Sequence, residues 1–145
     1  MLTKKSKYAI KALIAIARNN DSTRPMPISL IAEQENISRK FLETILLDFK
    51  KHGILASKSG ANGGYYLHKK SKDIFLSQII RVTDGPIAIV PCVSLNFYEK
   101  CYECINEAEC ALHDVAIKVR DASLKILSKT SLKDLVEKEQ KLKNT

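Results

Sequence analysis

Four cysteines and one histidine are the residues of this 145-residue chain whose types and spacing best suit binding chemistry. All the cysteines of the chain fall in one short stretch, and the histidine follows the last of them by three residues: Cys92, Cys101, Cys104, Cys110 and His113. Thiolates, and less often imidazoles, hold iron–sulfur clusters, and both also bind zinc. In a reducing compartment, clustered cysteines more often bind metal or sense redox state than form structural disulfides. The stretch therefore predicts a metal or redox site.

The residues alone leave several roles open for this stretch. A zinc site could use the Cys101–Cys104 pair together with Cys92 and either Cys110 or His113. A thiol switch could join two of the cysteines in a disulfide on oxidation. The cysteines could also be ordinary loop residues without a function. Four glutamates between residues 99 and 109 would raise the thiol pKa values and make thiolates harder to form without a metal.

Length and composition restrict the class of protein. A 145-residue chain that is 45% hydrophobic has enough apolar residues for one compact domain with an appendage. No apolar run approaches the roughly 20 residues that span a bilayer. The first five residues, Met1 to Lys5, lack the apolar stretch of a secretory signal. We therefore expect a cytoplasmic protein without membrane partners.

Positive charge is confined to the first two thirds of the chain. Residues 1–90 hold 15 Lys and Arg against 7 Asp and Glu, whereas residues 91–145 hold 9 of each. The net charge of +8 therefore belongs to residues 1–90. A basic part joined to a neutral part suggests a module that binds a polyanion and a second module for sensing or assembly.

The hydrophobic pattern predicts helices around one hairpin. Apolar residues with helical spacing indicate a helix over 6–18, then a short helix for which Ser29 is a possible cap, and a third helix capped by Ser38 and ended by Gly53. Two brief apolar runs on either side of a glycine-rich turn predict a β-hairpin. A further helix should end near residue 84. We predict a mainly α fold with a small β-hairpin wing, a winged helix-turn-helix.

The chain divides into three predicted parts. Residues 1–85 form the winged helix-turn-helix DNA-binding domain. Residues 86–109 have no sustained period and hold three of the four cysteines, so they are interpreted as a sensor loop. Residues 110–145 hold a long helix over 110–129 and a last helix that begins with Ser131 and Asp134 as a capping box.

The third helix is the predicted reader of DNA bases. Its front carries Ser38, Arg39, Lys40, Glu43 and Thr44 in the first two turns, the part of a recognition helix that reaches base edges. A carboxylate there can accept a hydrogen bond from a cytosine amino group, and the two cations can donate to guanine or phosphate. Lys50 and Lys51 are candidate phosphate contacts. The alternative for each charge is an ordinary solvated helix face.

No enzyme signature accompanies these features. The chain has no P-loop, no dinucleotide fingerprint, no metalloprotease helix and no plausible Ser/His/Asp set. We therefore expect a regulator rather than an enzyme. An RNA-binding or adaptor winged helix is the remote alternative.

Four stretches carry a family resemblance: Lys7–Leu13, Ile31–Glu33, Ile37–Glu43 and the wing segment Gly60–Tyr65 that follows Gly53-Ile54-Leu55. In this ordered set the chain resembles the Rrf2 family of bacterial transcription regulators. The resemblance implies a homodimer in which the long helix crosses its mate, and therefore a pseudo-palindromic operator in double-stranded DNA. It also implies that DNA contacts fall on Ser38, Lys40, Phe41, Glu43 and Thr44 of the helix, and on Ser59, Gly60, Ala61 and Asn62 of the wing. The family commonly has arginine where this chain has Ser59, so Lys58 is expected to supply a phosphate contact instead.

The resemblance also bears on the cysteines. Members of the family that bind a cluster have three cysteines in the loop before the long helix, and Cys92, Cys104 and Cys110 match these best. The interval from Cys92 to Cys104 is longer than usual, and Cys101 is an additional thiol. His113 stands where one member uses histidine as a fourth ligand. The implied function is a DNA-binding regulator switched by an iron–sulfur cluster, with thiol oxidation, zinc or protein contact as the alternative signals.

Overall fold

The computed structural model describes residues 2–19 and 24–145, and within them it contains six α-helices and one hairpin. The mainly helical fold with a small β-hairpin confirms the fold class predicted from the sequence. The elements follow the predicted order: α1 (Lys4–Arg18), α2 (Ile28–Glu35), α3 (Arg39–Lys51), β1 (Leu55–Lys58), β2 (Gly64–Leu67), α4 (Leu76–Thr83), α5 (Ala111–Leu127) and α6 (Leu132–Lys143). Short 3₁₀ turns occur at Ser71–Asp73, Pro91–Val93 and Glu107–Glu109.

Helices α1, α2 and α3 pack around a common core. Leu13, Ile31, Leu42, Ile45 and Phe49 are fully buried there. Because each helix buries one apolar stripe against the other two, the pattern of apolar residues sets how the three helices face one another.

The caps of these helices explain where they begin. The Ser38 hydroxyl accepts a hydrogen bond from the Phe41 amide at 3.2 Å, which confirms it as the N-cap of α3. Helix α1 begins two residues earlier than predicted because the Thr3 hydroxyl caps it by accepting from the Ser6 amide. Ser29, predicted as a possible cap, instead lies inside α2, which begins directly after Pro27. Pro27 is the N-cap of α2 in an extended conformation (φ −61°), which is the φ that its ring imposes.

The hairpin is held against the helices by main-chain hydrogen bonds. β1 and β2 pair antiparallel, from Leu55 opposite Leu67 to Lys58 opposite Gly64. Met26, which precedes α2, exchanges two backbone hydrogen bonds with Tyr65, at 2.8 and 2.9 Å. This third stretch of extended chain needs glycine, because a Cβ built on Gly64 would lie 2.3 Å from the Met26 carbonyl oxygen. The wing therefore has a defined position relative to α3.

Helix α6 returns to the first helix. Leu132, fully buried, donates its amide to the Ile74 oxygen at 2.7 Å, and Leu76 donates to the Thr130 oxygen at 2.9 Å. The predicted capping box is present, with Ser131 and Asp134 each accepting the other's amide hydrogen bond. The Arg18 guanidinium binds Glu35 of α2 and Glu139 of α6, each at 2.9 Å. The end of the chain thus packs with the helix-turn-helix. In the sequence, α5 therefore separates two segments that pack together in the fold.

Helix α5 leaves one apolar row uncovered. The row has alternating spacings of three and four residues: Leu112, Val115, Val119, Ala122 and Ile126, all exposed. Ala116 is fully buried on the side of the helix next to this row, and Ser123 and Leu127 on that side are half-buried. Helix α5 therefore packs on the protein with one side and leaves the neighbouring apolar side exposed. In the described residues, no helix is long and apolar enough to cross a membrane.

Replacing Gly64 by alanine tests the contact that positions the wing. The new Cβ would meet the Met26 carbonyl at 2.3 Å in a backbone conformation (φ 154°) that favours glycine. We expect the free energy of unfolding to fall by about 2–4 kcal/mol, from overpacking and backbone strain together. Urea denaturation followed by far-ultraviolet circular dichroism measures it, since the chain has no tryptophan.

Gly60→Ala is the matched control. Gly60 also has a positive φ, 103°, but nothing lies within 4 Å of its added Cβ. We expect only the backbone strain, about 1 kcal/mol. Equal losses in the two variants would mean that the Met26 contact does not limit this position.

Candidate DNA interface and cysteine pocket

The exposed side of α3 forms one continuous polar surface. The residues at its centre recur every three or four positions and all face solvent: Lys40, Glu43, Thr44, Leu47 and Lys51. Ser38 and Arg39 are exposed beside them at the N-terminal end. Leu47, 45% exposed, was not anticipated as a contact, although an apolar side chain on this face can meet a thymine methyl group.

Phe41 differs from its neighbours on α3. Its ring is half-buried and meets the Tyr8 ring of α1 edge-on, with 5.7 Å between the ring centroids. Edge-to-face contacts of this kind add stability beyond the buried area. The Phe41 side chain therefore seats the first turn of α3 on α1, and its amide is already used by the Ser38 cap.

Glu43 stands between a cation and the wing. Its carboxylate lies 3.4 Å from the Arg39 guanidinium one turn earlier, and both side chains are more than half exposed. The pKa of Tyr65 in β2 is raised by partial burial and by the negative charge of Glu43. An exposed i,i+4 pair is weak, so Glu43 remains able to exchange Arg39 for another donor.

Two lysines connect the helix and the hairpin. The Lys50 ammonium donates to the Ser57 hydroxyl at 2.7 Å, and the Lys58 ammonium lies 5.9 Å from the centre of the Tyr66 ring. Residues 59–62 at the tip of the wing are all exposed. Every polar residue that the sequence assigned to DNA thus lies on the surface formed by α3 and the hairpin.

The cysteines line a second, separate pocket. All four thiol-bearing residues and His113 border a cavity of about 180 Å³ at the start of α5, together with Glu107. The four thiols are free and half-buried. Residues up to 21 positions apart in the chain are thereby brought to one place. The structure does not separate Cys101 from the three cysteines that match the family pattern.

Local backbone geometry positions these thiols. Cys110 is the N-cap of α5, and its sulfur accepts the His113 amide at 3.4 Å. The Cys104 amide donates to the Cys101 oxygen at 3.3 Å, which closes a turn between the two cysteines. Cys92 lies in the 3₁₀ turn Pro91–Val93, where Val93 is buried. Three separate capping or turn structures therefore present the four side chains.

Glu107 connects His113 to a tyrosine. The carboxylate accepts a hydrogen bond of 2.6 Å from the Tyr98 hydroxyl, and lies 3.7 Å from the His113 Nε2 atom. The pKa of Tyr98 is raised chiefly by that hydrogen bond. The sequence had identified Glu107 only as one of several nearby acids. Nothing in the sequence indicated a role for Tyr98, because the loop that carries it has no hydrophobic periodicity.

The electrostatics of the pocket favour the protonated form of two thiols, those of Cys92 and Cys104. The pKa of Cys92 is raised by partial burial, then by Glu107 and the neighbouring thiols. The pKa of Cys104 is raised by partial burial and by Cys110. A cation that binds here must therefore displace protons, as metal binding to thiols generally does.

The donor types around the pocket are those that an iron–sulfur cluster uses. Within residues 2–19 and 24–145, no three Cys, His, Asp or Glu side chains converge closely enough to hold one metal ion. A zinc ion would need four donors about 2.0–2.3 Å from a single point. All four cysteines border the cavity, and cysteine is the usual ligand of iron–sulfur clusters.

Arg120 links α5 to the loop segment that carries Cys92. Its guanidinium, 15% exposed, donates to the Val93 carbonyl oxygen at 2.9 Å and also pairs with Asp121 at 2.9 Å. Val93 is 2% exposed and directly follows Cys92. The sequence did not single out Arg120, since nothing in the helical pattern distinguishes a cation that turns inward from one that faces solvent.

Comparisons with known proteins agree with this geometry. The family model Rrf2, described as an iron-dependent transcriptional regulator, matches residues 2–138. An HTH-type regulator of Rhodobacter capsulatus, named rrf2-like, is 39% identical over 138 residues, which is 94% of this chain and 92% of that protein. IscR of Cronobacter sakazakii is 28% identical over 97% of this chain and 83% of its own length. The structure of CymR, the global cysteine regulator of Bacillus subtilis, superposes with a TM-score of 0.77 at 29% identity, covering 94% of this chain and 96% of that one.

Replacing Arg120 by alanine tests the fastening of the Cys92 segment. The buried Val93 carbonyl would lose its donor, so we expect the free energy of unfolding to fall by about 1–3 kcal/mol. Amide hydrogen exchange at residues 92–94 should also accelerate. Lys118→Ala, which removes an exposed pair with Asp114, should change stability by less than about 0.5 kcal/mol. Unchanged exchange at residues 92–94 in the Arg120 variant would contradict the proposed contact.

Proposed function

Because the chain belongs to the Rrf2 family of transcriptional regulators, as its motifs indicated, we propose that it is a dimeric, sequence-specific DNA-binding regulator switched by an iron–sulfur cluster. Its relatives are transcription regulators and not enzymes. The observation that carries the proposal is that one fold holds both an exposed recognition surface on α3 and a separate pocket lined by four thiols. A regulator of this kind would act on DNA in the cytoplasm.

DNA contact is assigned to α3 and the hairpin together. With α3 in the major groove, Lys40, Glu43 and Thr44 face base edges, and the hairpin lies along the adjacent backbone. Arg39, Lys50 and Lys58 supply positive charge around them, and residues 59–62 form the tip that approaches the DNA. The positive charge of residues 1–90 supplies the sequence-independent part of the affinity.

The uncovered row on α5 supports a homodimer. Its 3-4-3-4 spacing from Leu112 to Ile126 is the pattern of a coiled-coil seam. At 1.5 Å per residue this row is about 21 Å long. A second copy of the same helix would cover it symmetrically, and a two-fold dimer places two recognition helices on two half-sites of a pseudo-palindromic operator.

A charge within the row tests the dimer. In Val119→Glu a carboxylate would be buried against the partner helix, so we expect the dimer to dissociate at micromolar concentration, with dimer affinity at least about 100-fold weaker, since an unpaired buried charge costs several kcal/mol. Sedimentation equilibrium measures the mass. Lys118→Glu places the same charge one residue outside the row and should leave the dimer intact. A Val119 variant that remains dimeric would exclude this face as the interface.

The switch is assigned to the cysteine pocket. Cys92, Cys104 and Cys110 would hold the cluster, which supplies the positive iron that stabilises their thiolates. Cys110 caps α5 and the Cys92 segment is fastened to α5 through Arg120. Ligation would therefore fix the loop between Cys92 and Cys110 against α5. If one dimer geometry is favoured, DNA affinity changes by the difference in binding free energy between the two geometries.

The first test is a spectrum of protein purified without oxygen, with iron, sulfide and zinc analysis. A coloured protein with stoichiometric iron and sulfide, whose affinity for a selected palindrome changes on removal of the cluster, is the expected result. Colourless protein containing zinc would replace the cluster with a zinc site. Metal-free protein after reconstitution would leave a regulator that senses by thiol oxidation or protein contact.

Two substitutions on α3 separate base reading from phosphate contact. Glu43→Ala should relax the preferred sequence, with discrimination at one base pair falling by about 1–3 kcal/mol. Lys51→Ala should weaken all duplexes alike and reduce the slope of log K against log salt by about 1. Binding-site selection and fluorescence anisotropy at several salt concentrations measure these effects. An unchanged site preference in the Glu43 variant would remove that carboxylate from base recognition.

A further inference from the structure

We propose that Cys101 completes the ligand set of the pocket, so that the cluster is held by four cysteines and not by three cysteines with His113. This inference rests on the proposed function, because it concerns the cluster assigned there. It goes beyond that function by naming the fourth ligand from the contacts of this chain.

The first observation is the turn that joins Cys101 to Cys104. The Cys104 amide donates to the Cys101 carbonyl oxygen at 3.3 Å. Such an i to i+3 bond brings the ends of a four-residue turn together, so both cysteines border the same cavity. A Cys-x-x-Cys pair is a common way for one loop to supply two thiolates to a metal centre.

The second observation is the exposure pattern within this turn. Cys101 and Cys104 are half-buried, whereas Tyr102 between them is 96% exposed and Ile105 after them is fully exposed. This orientation of the turn brings the two cysteines, and not Tyr102 or Ile105, to the lining of the cavity.

The third observation concerns His113. Its Nε2 atom lies 3.7 Å from Glu107, whose other carboxylate oxygen is bonded to Tyr98. One ring nitrogen is thereby directed at a carboxylate, and the backbone amide of the same residue is bonded to the Cys110 sulfur. We assign His113 a positioning role beside the cluster. Because a carboxylate can also orient a histidine that binds metal through its other nitrogen, the experiment must separate the two arrangements.

The chemistry of the two ligand sets differs measurably. Replacing thiolate by imidazole on iron raises the reduction potential of a cluster. A four-cysteine set therefore predicts a lower potential than a set containing His113. It also predicts that no histidine nitrogen is bound directly to iron.

The experiment reconstitutes the full-length protein anaerobically with ferrous iron and sulfide. The variants are Cys101→Ala, His113→Ala and, as a control for disturbance of the turn, Tyr102→Ala. Iron and sulfide per chain, the absorption spectrum and the reduction potential are measured for each. Pulsed electron paramagnetic resonance of reduced protein labelled with ¹⁵N-histidine reports directly whether a histidine nitrogen is coupled to iron.

We expect the wild type and Tyr102→Ala to take up equal iron and sulfide, and the wild type to show no strongly coupled histidine nitrogen. His113→Ala should still assemble a cluster, with at most the affinity loss of an outer-shell partner. We expect Cys101→Ala to lose iron affinity about 10-fold or more, which is at least the effect of losing an outer-shell partner. Strong nitrogen coupling that disappears in His113→Ala, with the cluster retained in Cys101→Ala, would overturn the assignment while leaving the cluster-switched regulator standing. A wild type that takes up no iron and sulfide would overturn both the assignment of Cys101 and the cluster switch. Sequence-specific DNA binding by that protein would still identify it as a regulator.

Discussion

The N-cap of α5 at Cys110 is the interaction that joins the cysteine pocket to the long helix. One sulfur atom accepts the His113 amide and also forms part of the wall of the cysteine pocket. The first turn of a helix needs such acceptors because its amides have no partner within the helix. Ligation of Cys110 would change the state of the atom that begins α5. The cysteines proposed to sense the signal and the helix proposed to form the dimer are therefore joined at Cys110.

Contacts continue from α5 to the recognition helix. The Thr3 amide at the start of α1 donates to Asp84 at the end of α4 at 3.2 Å, and Ser6 and Thr83 share a hydroxyl hydrogen bond. In the next step the Lys5 ammonium pairs with Asp48 of α3 at 2.9 Å. Since α5 packs on α4, it is connected to α3 through α4 and α1, each of which contacts the next. These contacts provide a physical route from the cysteine pocket to α3. The coupling between the two sites is a free energy, and it is measured by how much a ligand in the pocket changes the affinity for DNA.

The parts of the fold that sequence could predict are those fixed by local chemistry. Ser38 as a cap, Gly53 after α3 and the glycine turn between the strands each follow from residue types acting on their own backbone. The same holds for the Ser131 capping box. By contrast, the packing of α6 on α1 depends on Arg18 bonding two distant glutamates, and no local signal indicates it.

The candidate site divides in the same way. The residues on the face of α3 follow from helical period and from the family resemblance, whereas the surroundings of the cysteines do not. Tyr98, Glu107 and Arg120 act through contacts that span 6 to 27 residues. Their side-chain types are common on any surface, so only the folded loop distinguishes them. That all four cysteines border one pocket could not be predicted either, because the spacing of the family motif had left Cys101 as an additional residue.

In the proposed DNA interface, Ser59 stands where the family commonly has arginine, and this changes which residues of the wing can contact DNA. A guanidinium before the first glycine would insert into a narrow minor groove, and Ser59 cannot do this. Lys58 next to it lies over the Tyr66 ring, and as a compact ammonium it serves as a point charge for phosphate and not as a planar fork for bases. Lys50 is likewise bonded to Ser57 of the hairpin. In the proposed interface these two lysines are held by the protein before DNA binds, which would lower the cost of ordering them and suit them to backbone contacts. Sequence discrimination would then rest on α3, where Glu43 would repel phosphate and would accept a hydrogen bond from a base in place of its pair with Arg39.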